Sequence, residues 1–159
     1  MSKVGDVFVT TIEGKKRAYF QFVAIDATQL NSDVICVYDI TLVNEEPLSI
    51  KHFERAKVKF YCHVVVDWGK KMKLWKKVKN MNISSNVPPL KFRQSDDYGD
   101  PEIRQSDRWW VWTVGEEMQY IGSLRNREER NYEIGVIMAP PNVIDRIYTG
   151  KYSYFYPDI

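Results

Sequence analysis

Across most of this chain apolar residues recur at every second position or in short unbroken runs, and helical spacing is confined to two brief stretches. The opening sets the pattern. Val4-Gly5-Asp6-Val7-Phe8-Val9-Thr10-Thr11 enters a strand through a Gly-Asp turn, and the polar turn Glu13-Gly14-Lys15-Lys16 reverses it. The chain then returns through 17–23, with Tyr19, Gln21 and Val23 on one face and Phe20 and Phe22 on the other. A strand entered by Gly-Asp and paired at once with its neighbour is how many small, strongly bent β-barrels begin. Such barrels are usually binding platforms, although a platform alone does not fix a function.

The remainder follows the same rhythm. A polar loop over 26–33 leads into 34–40, a nearly continuous apolar run that predicts a central strand. Asn44-Glu45-Glu46-Pro47 breaks it. Residues 48–56 predict a short helix capped by Ser49, with Ile50 and Phe53 on one face. Residues 58–66 predict a strand ending at Asp67-Trp68-Gly69, and 70–79 fits a hairpin strand better than a helix. Val87-Pro88-Pro89 forbids helix, and 94–107 is a polar, acidic loop. Strands are predicted at 108–114, 118–124 and 132–138, then a short helix capped by Asn142 and ending near Gly150, and a last aromatic strand over 152–157. The fold expected is mostly β (α+β): one domain over 1–159, a bent antiparallel sheet or the start of a small SH3-like barrel, with one or two short helices.

A hydrophobic content of 44% with 14% aromatics in 159 residues supports a real core. The net charge of +2 excludes no partner, but its distribution is uneven: residues 51–79 carry +8 and residues 94–133 carry −5. Patches of opposite sign steer encounters with charged partners. Cys36 and Cys62 lie inside apolar runs and read as buried thiols. No apolar run approaches the roughly 18 residues of a membrane span, and no apolar leader opens the chain, so a cytoplasmic protein with no membrane partner is expected.

Catalytic chemistry finds little footing. His52 and His63 stand eleven apart, and no His or Cys pair has zinc-site spacing, so no metal is expected. Cys62 and His63 are neighbours on a strand and point to opposite faces, so neither serves the other as base or nucleophile. Neither a nucleophile elbow nor a phosphate or dinucleotide loop is present, and no cofactor is implied. Two surfaces remain. Asp96, Asp97, Asp100 and Glu102, with Glu116 and Glu117, offer an acidic face to a basic partner. Lys70, Lys71, Lys73, Lys76, Lys77 and Lys79 surround Trp75 and offer phosphate contacts with base stacking. In the run 109–112, Trp110 and Trp112 are expected to face the core and Trp109 to stay partly exposed as an interface anchor.

The Val4-Gly5-Asp6-Val7-Phe8 opening, Ala18-Tyr19-Phe20, the strand 34–39, Gly69 followed by Leu74-Trp75-Lys76-Lys77-Val78, Pro88 or Pro89 with Phe92, and Trp109-Trp110-Val111-Trp112 occur in a familiar order. In these elements the chain resembles the immunity protein 26 family of bacterial polymorphic toxin systems, over roughly its first 115 residues. It departs in having Thr10-Thr11 where the family has a proline, and in Lys70 to Lys73 lengthening the interval from Gly69 to Trp75. The resemblance implies a small cytoplasmic protein that binds and neutralises a cognate toxin, often a nuclease, without catalysis. The expected contact residues are Asp96, Asp97, Asp100, Glu102, Trp109, Glu116 and Glu117. The alternatives are a nucleic-acid-binding barrel working through the 70–79 lysines and, behind it, a small ribonuclease-like enzyme.

Overall fold

The unbroken apolar run at 34–38 is the middle of a strand with both faces covered. In the computed structural model, which describes residues 1–12, 16–43 and 46–159, strand β3 (Ser32–Val43) lies between β2 (Lys16–Asp26) and β4 (Val58–Val64). Ile35 and Val37 enter one apolar cluster, while Val34, Cys36 and Tyr38 enter another on the opposite side. The turn expected at Glu13-Gly14-Lys15 and the Asn44-Glu45 part of the later break lie outside the described residues.

Around this centre β1 (Asp6–Ile12) pairs antiparallel with β2, and β5 (Lys76–Asn80) pairs with β1 at the sheet's edge. On the far side β10 (Ile137–Met138) runs parallel to β4, giving the order β10-β4-β3-β2-β1-β5. The second sheet has the order β8-β7-β6-β9. It is built from β6 (Lys91–Ser95), β7 (Trp109–Thr113), β8 (Gln119–Gly122) and β9 (Glu133–Ile134). The architecture is therefore mostly β, as the alternation predicts, but it is two open sheets rather than a closed barrel among the described residues.

Helices α2 (Val66–Lys71) and α3 (Pro140–Thr149) cover one face of the larger sheet, burying Val66, Trp75, Val143 and Ile147 against Phe8, Phe20 and Phe60. Helix α1 (Ile50–Arg55) and the second sheet cover the other face, through Phe53, Ala56, Phe92 and Trp112. The expected Ser49 cap is present, with the Ser49 N–H donating to His52 Nδ1 at 2.9 Å. Because Cys36 and Cys62 sit on opposite faces, they stay free thiols.

Four local expectations are corrected. Residues 66–71 form a helix rather than the end of a strand. Asp33 Oδ2 accepts the Val66 N–H at 2.9 Å, and Trp75 folds back over Gly69 with its Nε1–H on the Val66 carbonyl at 3.0 Å. A Cβ on Gly69 would stand 1.9 Å from that indole. Helix α3 starts at Pro140, two residues before the expected Asn142 cap, because a proline in the first turn loses no helical hydrogen bond. The expected strand at 132–138 is split: β9 joins the smaller sheet and β10 the larger, with Gly135 between them under Trp112. The tail 152–157 forms no strand; its tyrosines pack against the sheets, Tyr152 and Tyr156 accepting the Ile134 and Ser95 N–H groups, and just beyond it Asp158 makes an isolated bridge to Gln105.

Candidate functional site

The acidic loop after β6 is built on two serines. Ser95 Oγ donates to Ser106 Oγ at 2.6 Å, and Ser106 Oγ donates to Asp97 Oδ2 at 2.7 Å. The Asp97 N–H donates back to Ser95 Oγ at 2.9 Å, and Arg108 Nη1 reaches Asp97 Oδ1 at 3.1 Å. Asp97 is thus buried in the frame of the loop and does not present a carboxylate to a partner, a correction to its expected role. Asp96 is half committed: its Oδ1 accepts from Trp110 Nε1 at 3.0 Å and its Oδ2 lies 3.6 Å from Arg108.

What this frame holds outward is Tyr98, Asp100 and Glu102. The Tyr98 N–H donates to the Ser95 carbonyl, the Asp100 N–H to that of Asp97, and the Glu102 N–H to Asp100 Oδ1 at 3.0 Å. The Tyr98 ring is 44% exposed and rests on Tyr156, with centroids 4.8 Å apart. The Tyr156 hydroxyl accepts the Ser95 N–H, and burial pushes it up to about 12. Among the described residues Asp96 and Asp97 pair with Arg108 and Asp107 lies 3.8 Å from Arg125, while Asp100 and Glu102 form no ion pair. Asp158 closes the base, its carbonyl accepting the Ser106 N–H and its N–H donating to Arg104.

Glu116 and Glu117 are exposed but do not join this loop. Ser95 faces Trp109 and Lys91 faces Thr113, so the loop and the glutamates occupy opposite ends of the β6–β7 ladder. Five strand residues part them by roughly 15 Å. The glutamate end lines a small cleft of about 180 Å³ beside Arg127 and Glu129, which are ion-paired at 2.9 Å.

Trp109 is fully buried beneath Tyr156 and Leu124, its Nε1–H on the Ser106 carbonyl at 2.8 Å and Arg93 stacked over its ring. It is a floor for the acidic loop, and the expectation of an exposed anchor is overturned. The period-two reading failed because the smaller sheet is itself covered on both sides. Trp112 faces the larger sheet, Trp109 and Val111 face the tail, and Trp110 lies half-exposed against Tyr120.

The lysine stretch stays at the surface, while its aromatic centre does not. Trp75 is core and edge-on to Phe20 at 5.0 Å, so its face is closed to base stacking. Lys77 pairs with Asp6 at 2.9 Å and Lys70 with Asp67 at 3.3 Å. Burial raises the Asp6 carboxyl, but hydrogen bonds from Asn80, Lys77 and the Lys3 N–H more than offset this and hold it below the ordinary range. Lys71, Lys73, Lys76 and Lys79 are exposed without an ion pair among the described residues. Lys76, Lys77 and Lys79 lie on β5, the sheet's outer strand, where lysines discourage pairing with another chain.

One arrangement has no forewarning in sequence. Asp26, at the end of β2, accepts from His63 Nε2 at 2.8 Å and from Trp112 Nε1 at 2.9 Å, tying the two sheets together inside the core. His63 and Asp26 are both fully buried, and burial lowers the His63 pKa even though the neighbouring carboxylate acts to raise it. With the Asp26 carboxylate as acceptor, the bond between them uses a proton on Nε2; Nδ1 has no hydrogen-bond partner and the ring lies 4.0 Å from that of Phe92. Cys36 is likewise pushed up to about 12 by burial, which keeps it a thiol. Among the described residues no three His, Cys, Asp or Glu side chains gather into a group able to hold a metal, and no helix is long and apolar enough to cross a membrane. No family model, no curated protein and no solved structure matches the chain.

Proposed function

We propose that this protein acts by binding, as an immunity protein that neutralises a cognate toxin in the cytoplasm of the cell that makes it. The observation that carries this reading is the preorganised loop: Asp97, Ser95, Ser106 and Arg108 hold Tyr98, Asp100 and Glu102 outward with their side chains uncommitted to ion pairs. A rigid loop gives up little conformational freedom on docking, and an exposed tyrosine flanked by carboxylates suits a basic groove such as a nuclease uses for phosphates. His63, Asp26, Cys36 and Cys62 lie within the core and out of reach of a substrate, and the other histidine, the partly exposed His52, serves the start of α1 through its bond from the Ser49 N–H. The sequence resemblance points the same way. In this reading Tyr98 takes the anchoring role, and Glu116 and Glu117 belong to the margin.

The test is co-expression with the toxin domain encoded beside this chain's own gene, scored by growth and by a purified one-to-one complex. Wild-type protein is expected to restore growth. Reversal of the loop charges (Asp100→Lys with Glu102→Lys) is expected to slow association at least about tenfold at low salt. Failure of the wild-type chain to protect, or full protection by a Tyr98→Ala, Asp100→Lys, Glu102→Lys variant that folds normally, would overturn the proposal.

A further inference from the structure

On the opposite side of the molecule the end of β1 has no strand paired to its outer edge among the described residues. Strand β1 is paired with β2 along its length to Ile12, but its pairing with β5 stops at Val9 opposite Lys76. Beyond that point Thr11 and Ile12 border two adjoining depressions, of about 490 and 280 Å³, that share Thr11 and Ile144. The floor is apolar and firm: Ile12, Leu74 and Ile144 are half-buried and packed on the main core cluster. Lys70, Lys73 and Lys76 line the larger depression, and Asp145 lines the smaller.

Lys73 stands at the rim of the groove in an unusual backbone conformation. It follows the Met72 cap of α2 in the left-handed conformation, with φ 60°, and its N–H closes the helix onto the Lys70 carbonyl. Glycine is the residue this position favours, because any side chain there is strained. A lysine stands in that place, and it borders the groove. The neighbouring hydroxyl of Thr10 donates to the Leu74 carbonyl at 2.8 Å, so the turn that carries Lys73 is fixed against β1.

We infer that this groove binds an extended, acidic segment of a partner polypeptide, adding it as a short strand beside Thr11 and Ile12. Carboxylates of the segment meet Lys70, Lys73 and Lys76, an apolar side chain covers Leu74 and Ile144, and a basic or amide side chain meets Asp145. The order along the segment is acid, apolar, base. Strand addition supplies affinity through the backbone and side-chain pockets supply specificity. The lysines of β5 repel a second copy's identical edge while leaving an acidic strand welcome. An extended polypeptide is favoured over nucleic acid because the open β1 edge and the aliphatic floor suit a backbone and a branched side chain, whereas the indole of Trp75 is buried and cannot stack. This site lies across the larger sheet from the Tyr98 loop and does not depend on the toxin reading.

The experiment is a titration of the intact chain with the blocked peptide Asp-Val-Glu-Ile-Thr-Lys, followed by amide chemical shifts. Expected are shifts centred on Thr11, Ile12, Lys73, Leu74 and Ile144, and affinity at least about tenfold better than for the charge-inverted peptide Lys-Val-Lys-Ile-Thr-Glu. Lys73→Gly separates binding from folding: it relieves the left-handed strain, so its melting temperature is expected to hold or rise by about 2–4 °C while peptide affinity falls. Lys73→Gly with Lys76→Ser is expected to abolish the preference between the two peptides. Shifts elsewhere, unchanged affinity in Lys73→Gly, tighter binding of a random single-stranded DNA to the same residues, or self-association that the peptide displaces would each overturn the inference.

Discussion

The carboxylate of Asp26 is the sharpest place to perturb the molecule. It accepts hydrogen bonds from His63 Nε2 at 2.8 Å, from Trp112 Nε1 at 2.9 Å and from the Thr28 N–H at 3.1 Å. Asp26→Ala strands the two ring donors in the core. Each buried donor left without an acceptor costs about 1–3 kcal/mol, and relief of the carboxylate's own burial returns a part, so the net loss is expected to be about 3 kcal/mol. That is a large share of the roughly 5–15 kcal/mol that holds a domain of this size folded. Asp26→Asn keeps the shape and one acceptor, and is expected to cost about half as much. Trp112→Phe removes one donor and leaves the His63 bond intact, so combined with Asp26→Ala it should add less than its separate effect. The assay is equilibrium unfolding in urea at pH 7.5, with Asp39→Ala as an exposed control expected to lie within about 0.5 kcal/mol of wild type. A loss below about 1 kcal/mol for Asp26→Ala, or full additivity with Trp112→Phe, would refute the idea that this carboxylate joins the two sheets.

His63 gives the pH counterpart. Its pKa in the fold lies below the ordinary 6.5, so its contribution to stability is complete above pH 6.5 and is lost as the pH falls below it, by up to about 1.4 kcal/mol per pH unit. In urea titrations from pH 7.5 to 5, His63→Phe is expected to flatten that decline; an unchanged slope would contradict it. Gly135→Ala places a Cβ 2.1 Å from the Trp112 ring and 3.1 Å from Phe92 Cβ. It is expected to cost about 3 kcal/mol in a thermal melt, whereas Gly99→Ala, which meets open space at φ +92°, is expected to cost about 1 kcal/mol. Cys36 and Cys62 are fully buried, with thiols pushed up by burial, so a thiol reagent at pH 8 should label them only as fast as the native state opens. Labelling of the native protein within seconds would show a more open core than the structure has.

The strands were legible because most of them alternate. Tyr19 and Val23 do lie across the sheet from Phe20 and Phe22, and the 34–38 run is the doubly covered centre. What eluded the pattern depends on contacts far apart in sequence. Nothing local announces that Trp75 folds over Gly69 to seat α2, or that two residues on either side of Gly135 enter different sheets. The loop shows the same limit. Its acidity is plain, but which carboxylates turn inward depends on the Ser95 hydroxyl standing close enough to donate to Ser106, whose own hydroxyl donates to Asp97. A lone tyrosine in a polar loop carries no pattern, and only the stacking of Tyr98 on Tyr156 shows it held at the surface. Asp26 and His63 lie 37 positions apart, a separation no spacing rule reads.

The passage from β9 to β10 has a consequence for how the molecule comes apart. Glu133 and Ile134 complete the border of one layer, and Ile137 and Met138 complete the border of the other, so a single short tether hems both. Pulling either layer loose drags the hem from its neighbour, and neither half keeps a finished margin alone. Unfolding should therefore run as one event, and adding a residue inside the hem should loosen both layers together.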